Sequence, residues 1–297
     1  MYPRSFRYQR AASLKEAVSI LSQLGPDARL LAGGQSLIPL MKLRFANPAY
    51  LVDLNFIAET SYVKNDRATV RLGPLTRHAE IEQSDVAAKI PIVRDCAAGI
   101  ADVQVRNRGT LVGSLAEADP SGDWAAALLT LDTTLRCLGP QGEREVPLSS
   151  FIKDAYTTVL GPDELITEVA IKVPPKNSGG AYLAFKRCAP VYASAAVAVQ
   201  ISLQDGHCRD ARICLAAVGL TPIRATEAEV ALGGNAIDEK TISVSAEAAR
   251  AAADPQPDMR GSVEFKRQLV YTLTKRAISV AARRARGEHV EVSHIYA

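Results

Sequence analysis

With 297 residues, 47% hydrophobic and 23% charged, the chain has room for a sizeable core shared among two or three domains. A net charge of +3 without a dense Lys/Arg block argues against a nucleic-acid footprint, and "ARRARGE" reads as the solvated end of a helix. The N-terminus lacks an apolar signal core, and no stretch reaches the roughly 18 apolar residues of a membrane span, "SAAVAVQISL" being too short; the expected compartment is the cytoplasm.

The first helix is announced by Ser13 as N-cap and Glu16 three residues on, a capping box. Leu14, Ala17, Val18, Leu21 and Leu24 recur on one face, and Gly25-Pro26 ends the helix. A strand is expected at 29–32, then a turn, "AGGQS". "YLVDL" and "ATVRLG" read as strands, and "RHAEIEQS" opens a helix. Residues 91–122 are weakly patterned. "TTLRCLGPQGEREVPL" is a hairpin turning at Gly139–Gly142, and "ELITEVAIKVP" a further strand. "PPKNSGG" is a composition break and the expected domain boundary, so that residues 1–176 precede a second domain of residues 177–297. Beyond it, "GAYLAFKR", "SAAVAVQISL" and "CRDARICLAAVG" look like three antiparallel strands, the last two joined at Asp205–Gly206. "TEAEVALGG" is a short helix, and "EFKRQLVYTLTKRAISVAARRA" a long one with Leu269, Leu273, Ala277 and Val280 on one face. The class is α+β, with no repeat of fixed period.

The chemistry-bearing residues form few constellations. Five cysteines (Cys96, Cys137, Cys188, Cys208 and Cys214) include no C-x-x-C pair, which argues against a disulfide framework, a zinc site or an iron–sulfur cradle. His78, His207, His289 and His294 have no metal-ligand spacing. There is no G-x-S-x-G elbow, H-E-x-x-H, phosphate-binding P-loop or G-x-G-x-x-G. Asp119 and Asp123 read as surface loop acids rather than a general acid/base pair.

Two glycine turns remain, Ala32–Ser36 and the one centred on Thr110–Ser114. Each sits beside an apolar run and pairs glycine with a hydroxyl. Such turns can aim several main-chain N–H groups at one anion, with no side chain in the way. Either turn alone is as well read as punctuation.

Together and in this order, "AGGQSLIPLMKLRFANPAYLVDLN" and "VQVRNRGTLVGSLAEADPSGDWAAALL" resemble the FAD-binding medium subunit of the molybdenum hydroxylases, the xanthine dehydrogenase and carbon monoxide dehydrogenase family. That family reads A-G-G-[HQ]-S-L and T-[IL]-G-G-[NS] at these places, and the resemblance runs over essentially the whole chain. It implies an FAD-binding domain of two subdomains, of the PCMH/vanillyl-alcohol-oxidase type, with their boundary near residue 57. A C-terminal α+β domain follows. It implies that Ala32, Gly33, Gly34, Gln35, Ser36 and Leu37 surround the FAD pyrophosphate with Thr110, Gly113 and Ser114. Asp123 falls near the cofactor's sugar-like chain, Ile166 or Leu165 at the adenine, and Lys186 and Tyr192 near the flavin ring. It implies no catalytic side chain here. Molybdopterin and two [2Fe–2S] clusters belong to a large and a small partner subunit, in a dimer of heterotrimers, and this chain relays electrons from the clusters to an external acceptor.

The chain departs from the motif at Val112, where the family has glycine. A β-branched residue tolerates positive φ poorly. If the position needs positive φ, the loop differs; if not, Val112 only adds bulk. Arg106 and Arg108 read as solvated or salt-bridged, Trp124 as packing, and Cys188 as a small buried residue. Two other classes stay open. A self-sufficient flavoprotein oxidoreductase predicts a catalytic acid or base over the flavin, and a nucleotide-binding scaffold predicts no chromophore.

Overall fold

The computed structural model describes residues 2–66 and 68–292, so His294 lies outside it. Three parallel strands open the chain: β1 (Arg7–Arg10), β2 (Ala28–Leu31) and β3 (Tyr50–Asp53), in the order β1-β3-β2. Helix α1 (Leu14–Leu24) crosses from β1 to β2 and buries Ala17, Val18 and Leu21. Its cap is as expected on one side, Ser13 Oγ accepting from Glu16 N at 3.1 Å. The Glu16 carboxylate closes the return bond on Ala12 N at 2.6 Å, one residue earlier than a standard capping box. The short helix α2 (Leu37–Lys42) follows the first glycine turn.

Next come β4 (Val63–Asn65) and β5 (Thr69–Leu72), then the helices α3 (His78–Gln83), α4 (Asp85–Lys89), α5 (Pro91–Gly99), α6 (Val103–Arg106), α7 (Leu111–Glu117) and α8 (Trp124–Leu129). The weakly patterned stretch is therefore helical, in pieces too short for the sequence period to show. Strands β6 (Thr133–Gly139) and β7 (Gly142–Pro147) form the predicted hairpin. The small pair β8 (Ile152–Asp154) and β9 (Thr157–Thr158) leads to β10 (Leu165–Lys172). These build an antiparallel sheet in the order β4-β5-β10-β6-β7, which packs on α3, α5, α7 and α8.

A second antiparallel sheet holds β11 (Ser178–Phe185), β12 (Ala195–Gln204), β13 (His207–Ala216) and β14 (Ile223–Arg224) in chain order. Asp205 and Gly206, with φ of 50° and 80°, make the tight turn between β12 and β13. Helices α9 (Thr226–Leu232), α10 (Glu239–Ala252) and α11 (Val263–Ala285) cover one face. Strand β12 reads as an unbroken apolar run because both its faces are buried. Ala196 and Ala198 face the main core, while Ala195, Val197, Val199 and Ile201 face α11. The buried stripe of α11 runs through Val270, Leu273, Thr274, Ala277, Ile278 and Ala281; Leu269 and Val280 are only partly buried. The expected face is thus rotated toward residues one position along. No helix among the described residues is long and apolar enough to cross a membrane.

Candidate functional site

The two glycine turns meet. A Cβ placed on Gly33 would lie 2.4 Å from Arg108 O and 2.8 Å from Gly109 Cα, so the first loop lies directly against the second. Gly33 is bare because the protein's own backbone fills the space. Gly34 has φ +73°, a conformation L side chains rarely adopt. Among the described residues, the amide N–H groups of Gly33 through Leu37 find no hydrogen-bond acceptor. They form a run of five donors on a partly exposed loop, an arrangement that suits a group rich in acceptor oxygens.

The second loop behaves alike. Thr110 caps α7, its Oγ1 accepting from Gly113 N at 3.0 Å. A Cβ on Gly113 would lie 2.7 Å from that oxygen, so glycine keeps the cap closed. The amides of Thr110 and Val112 have no acceptor among the described residues. Val112 sits in the first turn of α7, outside the positive-φ set. Its β-branched side chain is at ease there and buried, while its N–H is left without an acceptor among the described residues. The departure from glycine therefore leaves the main-chain donor in place.

Behind the loops lies a buried polar cluster. Asp123 is 7% exposed, not a surface acid as its loop context suggested. Its Oδ1 accepts from the Tyr182 phenol at 2.6 Å, and Lys186 Nζ lies 3.4 Å away. Lys186, 5% exposed, also donates to Gly99 O at 2.6 Å. Burial, and then the Asp123 charge, push the Tyr182 phenol well above its usual pKa, so it stays a proton donor to Asp123. A Cβ on Gly122 would approach Ser114 Oγ to 3.8 Å, which places the second loop beside the turn leading into Asp123.

Residues 4–175 match the FAD binding domain in molybdopterin dehydrogenase, and residues 180–281 the CO dehydrogenase flavoprotein C-terminal domain. The chain belongs to the FAD-binding medium subunits of the molybdenum hydroxylases. It is 39% identical over 287 residues to the carbon monoxide dehydrogenase medium chain of Afipia carboxidovorans, covering 96% of this chain and all of that one. It is 36% identical over 296 residues to the 6-hydroxypseudooxynicotine dehydrogenase complex subunit alpha of Paenarthrobacter nicotinovorans, covering 99% and 100%. The fold superposes on that of carbon monoxide dehydrogenase from Hydrogenophaga pseudoflava with a TM-score of 0.93 at 38% identity, over 96% of this chain and 99% of the other. The chain is thus the flavoprotein component of an oxidoreductase whose molybdopterin and iron–sulfur clusters reside in other subunits.

In this medium subunit, the remaining predicted site residues lie on separate elements. Tyr192 is 49% exposed, on the segment between β11 and β12, so it is not a core aromatic. Its phenol faces Asp119; partial burial and that charge raise its pKa. Ile166 lies in the main core and Leu165 in the smaller core beside α1. Arg106 pairs with Glu82 at 3.2 Å and donates to Ile100 O, a structural role. Trp124 is fully buried and donates from Nε1 to His78 Nδ1 at 3.0 Å. Cys188 is exposed, contrary to its reading as a buried residue. Sequence reasoning missed Asn55, whose side chain reaches Ala32 O in the first loop, and Arg77, whose side chain reaches Arg108 O beside the second. Their only signal was position: one directly follows the strand "LVDL", the other directly precedes "HAEIE".

Proposed function

We propose that this medium subunit binds FAD with the pyrophosphate on the amides of Gly33–Leu37, Thr110 and Val112, with Ala32, Gly113 and Ser114 completing the two loops. The run of main-chain donors without acceptors carries this placement, since a pyrophosphate offers the oxygens they lack. Asp123, steadied by Tyr182 and Lys186, is assigned to the cofactor's sugar-like chain, Lys186 and Tyr192 to the ring side, and Ile166 to the adenine side. FAD supplies the exchange between single-electron input and paired-electron output. The chain's own residues bind the cofactor, orient it and shield it from water; none is asked to act as nucleophile or base.

In this reading the chain works in a dimer of heterotrimers. It takes electrons from the [2Fe–2S] clusters of the small subunit and hands them to an external acceptor, while the large molybdopterin subunit selects the substrate. The cytoplasm is the proposed compartment, in keeping with five cysteines that are all unpaired. The test is an absorption spectrum of the purified protein, followed by cofactor release and identification. FAD near one per chain is expected. A protein without flavin, even after incubation with FAD, overturns the reading.

A further inference from the structure

The carbonyls at the seam between the loops are held as firmly as the amides are left free. Ala32 O accepts from Asn55 Nδ2 at 2.9 Å, and Arg108 O accepts from Arg77 Nη1 at 2.5 Å. The two donors are joined to each other, Arg77 Nη2 donating to Asn55 Oδ1. Asp53 stands behind them. Its Oδ1 accepts from the Asn55 amide at 2.8 Å and from Asn55 Nδ2 at 2.6 Å, and its Oδ2 accepts from the Tyr8 phenol at 2.6 Å. Burial pushes the Asp53 carboxyl up, but the Tyr8 and Asn55 hydrogen bonds and the Arg10 charge together hold it below the usual carboxylate range. An ionised acceptor therefore anchors the chain of donors.

We propose that Asp53, Asn55 and Arg77 form a positioning brace that turns the loop carbonyls away from the FAD pyrophosphate and keeps the loop amides facing it. The proposal rests on the functional reading given above. Its physical basis is the rigidity of the peptide unit. A trans peptide points its C=O and N–H in opposite directions, and the Ala32–Gly33 bond is not among the cis bonds. Holding Ala32 O on Asn55 thus fixes the direction of the Gly33 N–H. The restraint is needed because glycine occupies many backbone conformations with little penalty. A rotated Ala32–Gly33 peptide would present a carbonyl to the anion where an amide belongs. Arg77 ties the second loop to the first rather than aiming a free amide, since Gly109 N, the N–H in the peptide plane of Arg108 O, already donates to Val105 O at 2.7 Å. The Arg77 side chain holds Arg108 O, the atom a Gly33 Cβ would strike, while the backbone of the next residue, His78 N, holds Gly109 O at 3.0 Å. The Gly109 carbonyl shares its peptide plane with the free Thr110 amide. Arg77 also leaves a positive charge within one hydrogen bond of the seam.

The brace is tested in the full chain within its complex, with Asn55→Ala, the isosteric Asn55→Asp and Arg77→Lys. Three quantities are read: the FAD dissociation constant, the visible spectrum of the flavin that remains bound, and the melting temperature of the flavin-free protein. Both Asn55 variants lack the donor to Ala32 O and should weaken FAD on the order of tenfold or more. The bound flavin should keep the wild-type spectrum, because the ring environment is untouched. The melting temperature of Asn55→Ala should stay close to wild type; that of Asn55→Asp should fall, because a second carboxylate would face the ionised Asp53 across 2.6 Å, so the fold is judged on the alanine variant. Arg77→Lys reaches only one of two acceptors and should fall between. Asn55 variants that bind FAD like wild type defeat the brace alone. Weakening that only tracks a fall in melting temperature assigns these residues to folding and also defeats it. A wild-type protein that takes up no FAD defeats the functional reading together with the brace.

Discussion

Replacing Gly33 with alanine probes the seam between the two loops. The added Cβ would lie 2.4 Å from Arg108 O and 2.8 Å from Gly109 Cα, both main-chain atoms that no rotamer change can move aside. Ordinary contact begins at 3.4 Å, so the loops must part by 3.4 minus 2.4, or 1.0 Å. That parting must stretch the chain of hydrogen bonds, Ala32 O to Asn55 to Arg77 to Arg108 O, that spans the seam. Overpacking of this kind costs about 1–3 kcal/mol. Each charge-assisted hydrogen bond that an amide can no longer donate to the bound anion weakens binding on the order of tenfold. The assay is FAD stoichiometry and affinity beside a thermal melt. Gly206→Ala is the control, because φ is +80° there but nothing lies within 4 Å of the new Cβ. It should lose about 1–2 kcal/mol to backbone strain and bind FAD normally. A Gly33→Ala protein with wild-type FAD affinity and an unchanged melt would refute the argument that the two backbones touch.

Gly34→Val sets a β-branched residue at φ +73° against Ile38 Cδ1, and should abolish flavin binding while far-UV circular dichroism reports an intact fold; full flavin content in that variant counts against the site. His78 is held to a pKa of about 3, by burial and then by the Arg106 and Arg77 charges. As pH falls from about 6.5 toward 3, the unfolded chain takes a proton that the folded one refuses, so stability drops by up to about 1.4 kcal/mol per pH unit. Urea unfolding at pH 7, 6 and 5 should show a shallower acid slope for His78→Gln than for wild type, and equal slopes would contradict the buried neutral imidazole. The Asp95–Arg284 pair, 2.5 Å apart and 6–7% exposed, ties α5 to α11. Asp95→Ala should cost about 3–5 kcal/mol by stranding a buried guanidinium, and a urea-measured loss below about 1 kcal/mol would show that the charge finds water or another partner.

Much of this fold is written in local pattern. The α1 cap, the β6–β7 and β12–β13 turns and the long α11 all follow from residues a few positions apart. The glycine turns were legible as places where main-chain donors could gather. The short helices between 91 and 122 were not, since each is too brief to display a period. The stripe of α11 was misplaced because its buried face includes Thr274, which no hydropathy pattern would select. Asp123 read as a surface acid because its sequence neighbours are polar, and its partners Tyr182 and Lys186 lie 59 and 63 residues away.

The sequence by itself determined where the chain turns, which segments carry apolar faces, and that two loops free of bulky side chains flank apolar runs. These are properties of neighbouring residues, governed by backbone sterics and by the periods of helix and strand. Tertiary structure alone decided that the loops touch, that Gly33 is bare because Arg108 O occupies its side-chain space, and that Asn55 and Arg77, 22 residues apart, share the loop carbonyls. A peptide's hydrogen-bond partners depend on what folding brings within about 3 Å. Which amides are left free to meet an anion is therefore settled only when the whole chain has packed.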